Sequence, residues 1–296
     1  MCPRLPEGKT FQIIQSLLFN SLQIRYSRIN GTCWQGQTQQ FLQGVFKMEA
    51  MLTVEKLSGG YQRQRPVLHE ISFSVNKHEI VGLIGLNGAG KSTTIKHILG
   101  LMEPHSGEVR IAGKTWSESG DAYRQSLAYI PEMPLLYEEM TLWEHLELTA
   151  MAYGLDENTF QTRAEELLKE FRMQKMKSWF PSHFSKGMRQ KVMIMCAFLV
   201  QPDFYVADEP FVGLDPIGIK SFLDRMVEMK HQGCGILMST HILATAEKYC
   251  DRFILLHEGR ILLQGELSEL REQAGMPGAD LDEIYVQMTK EDDDGE

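Results

Sequence analysis

The run Gly85-Leu86-Asn87-Gly88-Ala89-Gly90-Lys91-Ser92 lies between an apolar stretch at 80–84 and a helix-period stretch that runs from Thr93 toward Leu101. Spaced glycines let a backbone fold tightly enough for successive N–H groups to point at phosphate oxygens. A lysine at the end of such a loop reaches the outer phosphates, and the following hydroxyl coordinates Mg²⁺. Asn87, Gly88, Ala89, Gly90, Lys91, Ser92 and Thr93 therefore read as the nucleotide-contacting stretch. The competing interpretation, a Gly-rich turn with a solvated lysine, does not account for the strand before the loop and the helix after it.

A second element supplies the chemistry of hydrolysis. Phe204-Tyr205-Val206-Ala207-Asp208-Glu209 is a short apolar strand ending in two adjacent acids. Asp208 is placed to hold the metal shell, and Glu209 to orient or deprotonate an attacking water. A later apolar strand at 236–239 delivers Thr240 and His241, whose imidazole could contact a γ-phosphate. Alone, such a histidine is more often an ordinary loop residue; its position after a core strand, beside the other two motifs, reverses that reading.

Positioning these groups calls for an α/β architecture. Stretches 52–57, 71–75 and 108–112 predict a small antiparallel sheet near the nucleotide base, with Tyr61 in an intervening loop. Tyr61 could stack on the base or cover the sheet edge, and the residues alone leave both open. From 142 to 173 the spacing of Trp143, Leu146 and Ala150, then of Leu167, Leu168 and Phe171, predicts helix. Pro131 and Pro134 precede this region and Pro181 follows it. Alternating strands and helices from Phe204 onward predict a mostly parallel, covered sheet.

Phe184-Ser185-Lys186-Gly187-Met188-Arg189-Gln190-Lys191 resembles the signature sequence of ABC-type ATPases, and Gly213-Leu214-Asp215-Pro216 resembles their D-loop. The order and spacing of all these motifs look like one ABC nucleotide-binding domain over about residues 50–290. Segments 145–154, 179–188 and 191–198 are similar to the ATP-binding subunits of the Ecs branch of Gram-positive bacteria. This resemblance implies a P-loop (Walker A) NTPase fold with a mixed, mostly parallel core sheet, a small antiparallel subdomain and an inserted helical subdomain at about 133–200. It implies ATP and Mg²⁺ as ligands, with Tyr61 at the adenine. It also implies a head-to-tail homodimer or pair of ATP-binding domains, in which Ser185, Gly187 and Asp215 serve the nucleotide held by Lys91 of the other subunit. A separately encoded integral-membrane permease and a peripheral place on the cytoplasmic face of the cell membrane follow from the same likeness. Segment 132–140, with Leu135, Leu136 and Tyr137, would line the permease groove or else belong to subdomain core.

Two departures from the family pattern stand out. Glu132 replaces a glutamine that touches Mg²⁺ and the attacking water, so it is read as a catalytic and metal-side residue that adds negative charge. Lys186 and Met188 replace a glycine and a glutamine of the signature, while Ser185 and Gly187 keep the helix-capping hydroxyl and the close-approach backbone. These departures keep a weakly hydrolysing regulatory module in play beside a transport ATPase. A soluble ABC protein of translation or repair is the other rival; such proteins usually carry two of these domains or a coiled-coil insertion, and this sequence has one phosphate loop.

Composition fits the reading. A chain of 296 residues, 43% hydrophobic, can bury a full α/β core, and a net charge of −9 disfavours a nucleic-acid surface. The longest apolar run found, 192–200, is far below the roughly 18 residues needed to cross a bilayer. Five cysteines, Cys2, Cys33, Cys196, Cys234 and Cys250, form no CxxC pair, which points to a reducing compartment. Residues 1–47 carry five Lys or Arg against one acid and no family motif; with Met48 and Met51 just before the first strand, the natural start is expected there. The alternative for that stretch is an amphipathic surface helix at 11–24, disfavoured by having only Arg25 and Arg28 nearby for lipid headgroups. The domain is then expected over 48–290, with 291–296 an acidic disordered tail.

Overall fold

In the computed structural model residues 50–293 are described. The expectations for residues 1–47, including the helix at 11–24, and for residues 294–296 lie outside the described residues. Along the chain, β1 (Ala50–Gly59), β2 (Leu68–Asn76) and β3 (Glu79–Ile84) lead into α1 (Lys91–Ile98). Then follow β4 (Ser106–Ile111), α2 (Gly120–Gln125), β5 (Leu127–Ile130), α3 (Leu142–Ala152), α4 (Glu157–Glu170) and α5 (Lys186–Val200). The remainder comprises β6 (Phe204–Asp208), α6 (Pro216–His231), β7 (Gly235–Thr240), α7 (Leu243–Tyr249), β8 (Arg252–His257), β9 (Arg260–Gly265), α8 (Leu267–Gln273) and α9 (Leu281–Asp293).

Two sheets form, as the patterning predicts. The smaller is antiparallel in the order β2-β1-β4; the larger has six strands in the order β5-β6-β7-β3-β8-β9. Only β9 runs antiparallel in the larger sheet. Every residue of β3, β6 and β7 is buried, because helices or the small sheet cover both faces and no polar alternation is needed. One apolar cluster joins α3, α4, α5 and α6 to one side of the sheet. A second fills the space between the two sheets around α1, and a third lies beneath α7, α8 and α9.

The predicted helical stretch 142–173 consists of two helices, α3 and α4. Gly154 adopts φ +69°, a left-handed conformation that ends the first, and the Asp156 side chain accepts from Thr159 N–H to start the second. Thr141 and Glu144 form a reciprocal capping box on α3. The phosphate-loop helix stops at Ile98, short of Leu101, where Gly100 turns the chain at φ +68°. The acidic C-terminal run begins inside α9, which extends to Asp293, so that residues 291–293 are helical rather than tail.

Cys196, Cys234 and Cys250 are free thiols, and burial pushes the first two up to about 11 and the third higher still. Cys196 and Cys250 both pack against apolar clusters, consistent with small core residues.

Phe222 of α6 links helix to loop: it is fully buried, 5.8 Å from Phe198 of α5 and 5.8 Å from Phe211 beside the acidic pair. Phe222→Ala is expected to cost about 3–5 kcal/mol through lost burial and the cavity left behind. Urea unfolding of the two proteins measures that difference directly.

Candidate functional site

All the sequence-predicted motifs of the parallel strands emerge at one edge of the large sheet. Register fixes this: Ile84 is opposite Thr240, and Asp208 opposite Ser239, so the phosphate loop, the acidic pair and His241 leave neighbouring strands at the same level. Ligands of open α/β sheets bind at that carboxyl edge. Gly88 takes φ +91° with nothing within 4 Å of where a Cβ would be, leaving the loop's outer face open. Gly90 takes φ +109°, and a Cβ there would meet Leu68 at 2.8 Å. Helix α1 has no side-chain cap, and its first intrahelical bond runs from Thr94 N–H to Gly90 C=O. The amides of Lys91, Ser92 and Thr93 thus precede that bond and are available to an anion.

Lys91 is buried and turned back on its own loop. Its Nζ donates to Gly85 O at 2.7 Å and lies 3.4 Å from Glu209 Oε1. Glu209 holds φ +44°, an uncommon conformation for a non-glycine residue. Its N–H donates to both the carbonyl and the hydroxyl of Ser239, which restrains it there. Its Oε2 lies 2.8 Å from His241 Nδ1, whereas Oε1 is buried and accepts no hydrogen bond among the described residues. Glu209 thus has one oxygen held by His241 and the other facing Lys91 in an ion pair without a hydrogen bond.

Asp208 accepts from the Ser239 hydroxyl. Burial raises its carboxyl pKa; the Ser239 hydrogen bond opposes this, Glu132 and Glu209 add to the rise, and Lys91 lowers it. Glu132, itself exposed, also contributes to raising the half-buried Tyr129 phenol after desolvation and Asp208. It is therefore within electrostatic reach of the acidic pair. Among the described residues no cluster of three or more His, Cys, Asp or Glu could hold a metal unaided. A hydroxyl at Ser92, the Asp208 carboxylate and the nearby Glu132 fit a hard cation whose shell is completed by phosphate and water.

Other predicted residues lie further out. Tyr61 is 66% exposed beside α1, its hydroxyl 2.9 Å from Lys96 Nζ, and that hydrogen bond is the main cause of its lowered phenol pKa. Lys96 Nζ also lies over the Tyr61 ring, 5.0 Å from its centroid. Ser185 caps α5 by accepting from Met188 N–H at 3.2 Å. Gly187 packs so closely on the D-loop that a Cβ would lie 2.2 Å from Gly213 O. Asp215 caps α6 through Gly218 N–H at 2.6 Å and pairs with Lys191 at 3.2 Å, so its carboxylate is already engaged within the chain. Leu136 packs on the helical core, while Leu135 and Tyr137 stay exposed, which divides the two readings of segment 132–140 between its own residues.

Sequence reasoning missed Ser239, which serves both acids and was read only as the last residue of its strand. It also missed Gln190, whose Nε2 donates to Pro131 O at 2.9 Å and ties α5 to the Glu132 loop. A polar residue at a fully buried helix position was the available signal.

Because Asp208 has a raised pKa, its contribution to folding is fully present below the unfolded aspartate value of about 3.9 and is lost as pH rises through the folded value. At neutral pH the nucleotide-free fold carries the cost of that charge. Asp208→Asn should therefore raise the melting temperature of the nucleotide-free protein at pH 7, with the gain shrinking on acidification through the raised pKa. Thermal melts of both proteins across pH 4–8 check the sign.

Comparison with known proteins matches this geometry to a family. Residues 68–212 match the ABC transporter family. The chain is 61% identical over 243 residues to the ABC-type transporter ATP-binding protein EcsA of Bacillus subtilis (strain 168), covering 82% of this chain and 98% of that protein. It is 45% identical over 245 residues to the uncharacterized ABC transporter ATP-binding protein YthP of the same organism, covering 83% and 99% respectively. Among solved structures, one described as the ATP-binding subunit of an ABC transporter superposes with a TM-score of 0.79 at 57% identity, over 81% of this chain and 99% of that one. With the phosphate loop, acidic strand end, signature and D-loop in the family's order along one fold, this chain belongs to the ATP-binding proteins of ABC transporters and is an ATPase.

Proposed function

We propose that this subunit energises a separate integral-membrane permease at the cytoplasmic membrane face, through ATP-driven head-to-tail pairing of two ATP-binding domains. The observation that carries the pairing is the start of α5. Ser185 and Lys186 are exposed there, and the first intrahelical bond runs from Arg189 N–H to Ser185 C=O, so the Lys186 and Gly187 amides precede it. This is an anion-binding helix start outside the Lys91–Glu209–His241 cluster. A second copy's γ-phosphate suits it.

Within one subunit the roles divide by geometry. Loop amides and Lys91 hold the phosphates; Ser92, Asp208 and Glu132 hold Mg²⁺; Tyr61 stacks on the adenine. Mg²⁺, when bound, neutralises charge on the transferred phosphoryl group. Glu209 accepts the proton of the attacking water at Oε1, while His241 Nδ1 holds Oε2 and leaves the other ring nitrogen for phosphate. Differential affinity of paired and separated domains for ATP and ADP then converts turnover into motion.

Support for a membrane partner comes from the helical region at about 133–200, which we assign as the inserted subdomain of a domain spanning 48–290. Met133, Leu135, Tyr137 and Met151 all expose more than three-fifths of their surface there. Among the described residues no helix is long and apolar enough to cross a membrane.

Glu132→Gln should retain nucleotide binding and at least part of the turnover, because glutamine keeps an oxygen for the metal and removes a charge; Glu132→Ala should be slower. Steady-state phosphate release ranks the three proteins, and loss of activity in Gln but not Ala would remove Glu132 from the metal side.

Glu209→Gln should lower turnover by about 10²- to 10⁴-fold, the usual contribution of a positioned general base. ATP should then accumulate in a closed dimer, visible by size-exclusion chromatography with Mg-ATP. Adding Ser185→Arg should return the protein to monomer by crowding the second γ-phosphate site. Parental turnover in Glu209→Gln would defeat the proposed mechanism.

A further inference from the structure

The C-terminal helix reaches into the phosphate loop. Tyr285 of α9 is almost fully buried among residues of β3, β8, α7 and α8, yet its hydroxyl leaves that apolar cluster to meet the loop backbone. It accepts from Leu86 N–H at 3.0 Å and donates to Leu256 O at 3.3 Å. That N–H belongs to the peptide unit whose carbonyl is Gly85 O, the acceptor of Lys91 Nζ at 2.7 Å. One peptide is thus held at both ends, by Lys91 on its oxygen and by Tyr285 on its nitrogen.

The local contacts hold the next peptide instead: Leu86 O accepts from Ala89 N–H at 3.2 Å and from Lys91 Nζ at 3.4 Å. Leu86 is 60% exposed, so its side chain does not anchor the turn. On the inner side, a Cβ at Gly85 would lie 2.6 Å from Leu256 O, the same carbonyl that takes the Tyr285 proton. Rotating the Gly85–Leu86 peptide would therefore break the tyrosine bond and move the Lys91 anchor together. Helix α9 is itself pinned at its start, where Leu281 N–H donates to Glu247 of α7 at 3.0 Å.

We propose that Tyr285 is a positioning residue of the ATP site: its hydroxyl fixes the Gly85–Leu86 peptide and so preorganises the phosphate loop and Lys91 for nucleotide. Tyr285 touches no reacting atom in this assignment. Its effect is on affinity, since a loop that must be ordered during binding loses part of the interaction free energy to that ordering.

The test uses the full chain and Mg-ADP as the probe. Tyr285→Phe removes only the hydroxyl and should weaken Mg-ADP binding by calorimetry roughly threefold to tenfold, the scale of one net hydrogen bond. KM for ATP should rise by a similar factor with kcat nearly unchanged, and hydrogen exchange in a peptide covering 84–90 should quicken. Ile284→Val trims packing of the same helix without touching the hydroxyl, and should keep the parental Kd and exchange rate. An unchanged Kd in Tyr285→Phe would overturn the proposal, as would equal weakening in Ile284→Val. A parental chain that bound no Mg-ADP would overturn the nucleotide reading of the loop itself, and the proposal with it.

Discussion

The end of β6 places two buried carboxylates, Asp208 and Glu209, against one buried cation, Lys91. Glu132 deepens the imbalance from outside. Charges taken out of water are costly unless paired, and a single lysine shared with a backbone carbonyl does not fully pair two acids. The fold manages the excess by hydrogen bonding: Ser239 donates its hydroxyl to Asp208 and accepts the Glu209 N–H, and His241 holds Glu209 Oε2. Glu209 Oε1, which accepts no hydrogen bond among the described residues and has only the Lys91 ion pair at 3.4 Å, is the atom to which the proposed mechanism gives the water proton. In the proposed mechanism, local instability and catalytic capacity are the same feature.

Parallel strands make this concentration of charge tolerable. Because β3, β6 and β7 run the same way and in matched register, their carboxyl ends present the loop amides, the acids and His241 on one rim, while their interiors stay wholly apolar. The rim is also where helix α1 begins without a side-chain cap, which leaves its first N–H groups without an intrahelical partner. The small sheet contributes from the side: the loop after β1 carries Tyr61, which Lys96 of α1 holds by its hydroxyl. Each functional group thus sits on or immediately after a rigid element.

Much of this was legible in the sequence because the chemistry there is local. A glycine pattern, a strand ending in two acids and a strand ending before a histidine each occupy fewer than ten consecutive positions, and the fold class follows from their alternation with helices. The end of the phosphate-loop helix at Ile98 was not legible, since apolar residues continue to Leu101. Nor were Ser239 as a ligand of both acids, Gln190 on Pro131, or Tyr285 on Leu86. These contacts join residues separated by 30 to 199 positions, and no single-chain periodicity encodes such separations. Asp215 illustrates a different limit: its motif matched the family, but only the folded chain revealed that its carboxylate is engaged by Gly218 and Lys191.

The altered signature is accommodated by the same kind of long-range contact. Gly187 must be glycine, because Gly213 O occupies the space of its Cβ, whereas Lys186 can replace glycine because its aliphatic stem lies along Gly213, with Cγ 3.2 Å from where a Cβ there would be. Gly213 in turn holds φ +80°. Lys191 one turn later pairs with Asp215, and Gly218 fits beneath both, a Cβ there coming within 2.9 Å of each. The start of α5 and the D-loop therefore form one interlocked unit, too closely packed to shift independently. Phe211, between that D-loop and the acidic end of β6, packs on Phe222 and is buried. In the proposed dimer, a phosphate arriving at Ser185 would consequently press on a unit that is continuous, through Phe211, with Glu209 of the same chain. If the proposed pairing forms, this packing is the contact chain through which one ATP site would bear on the other.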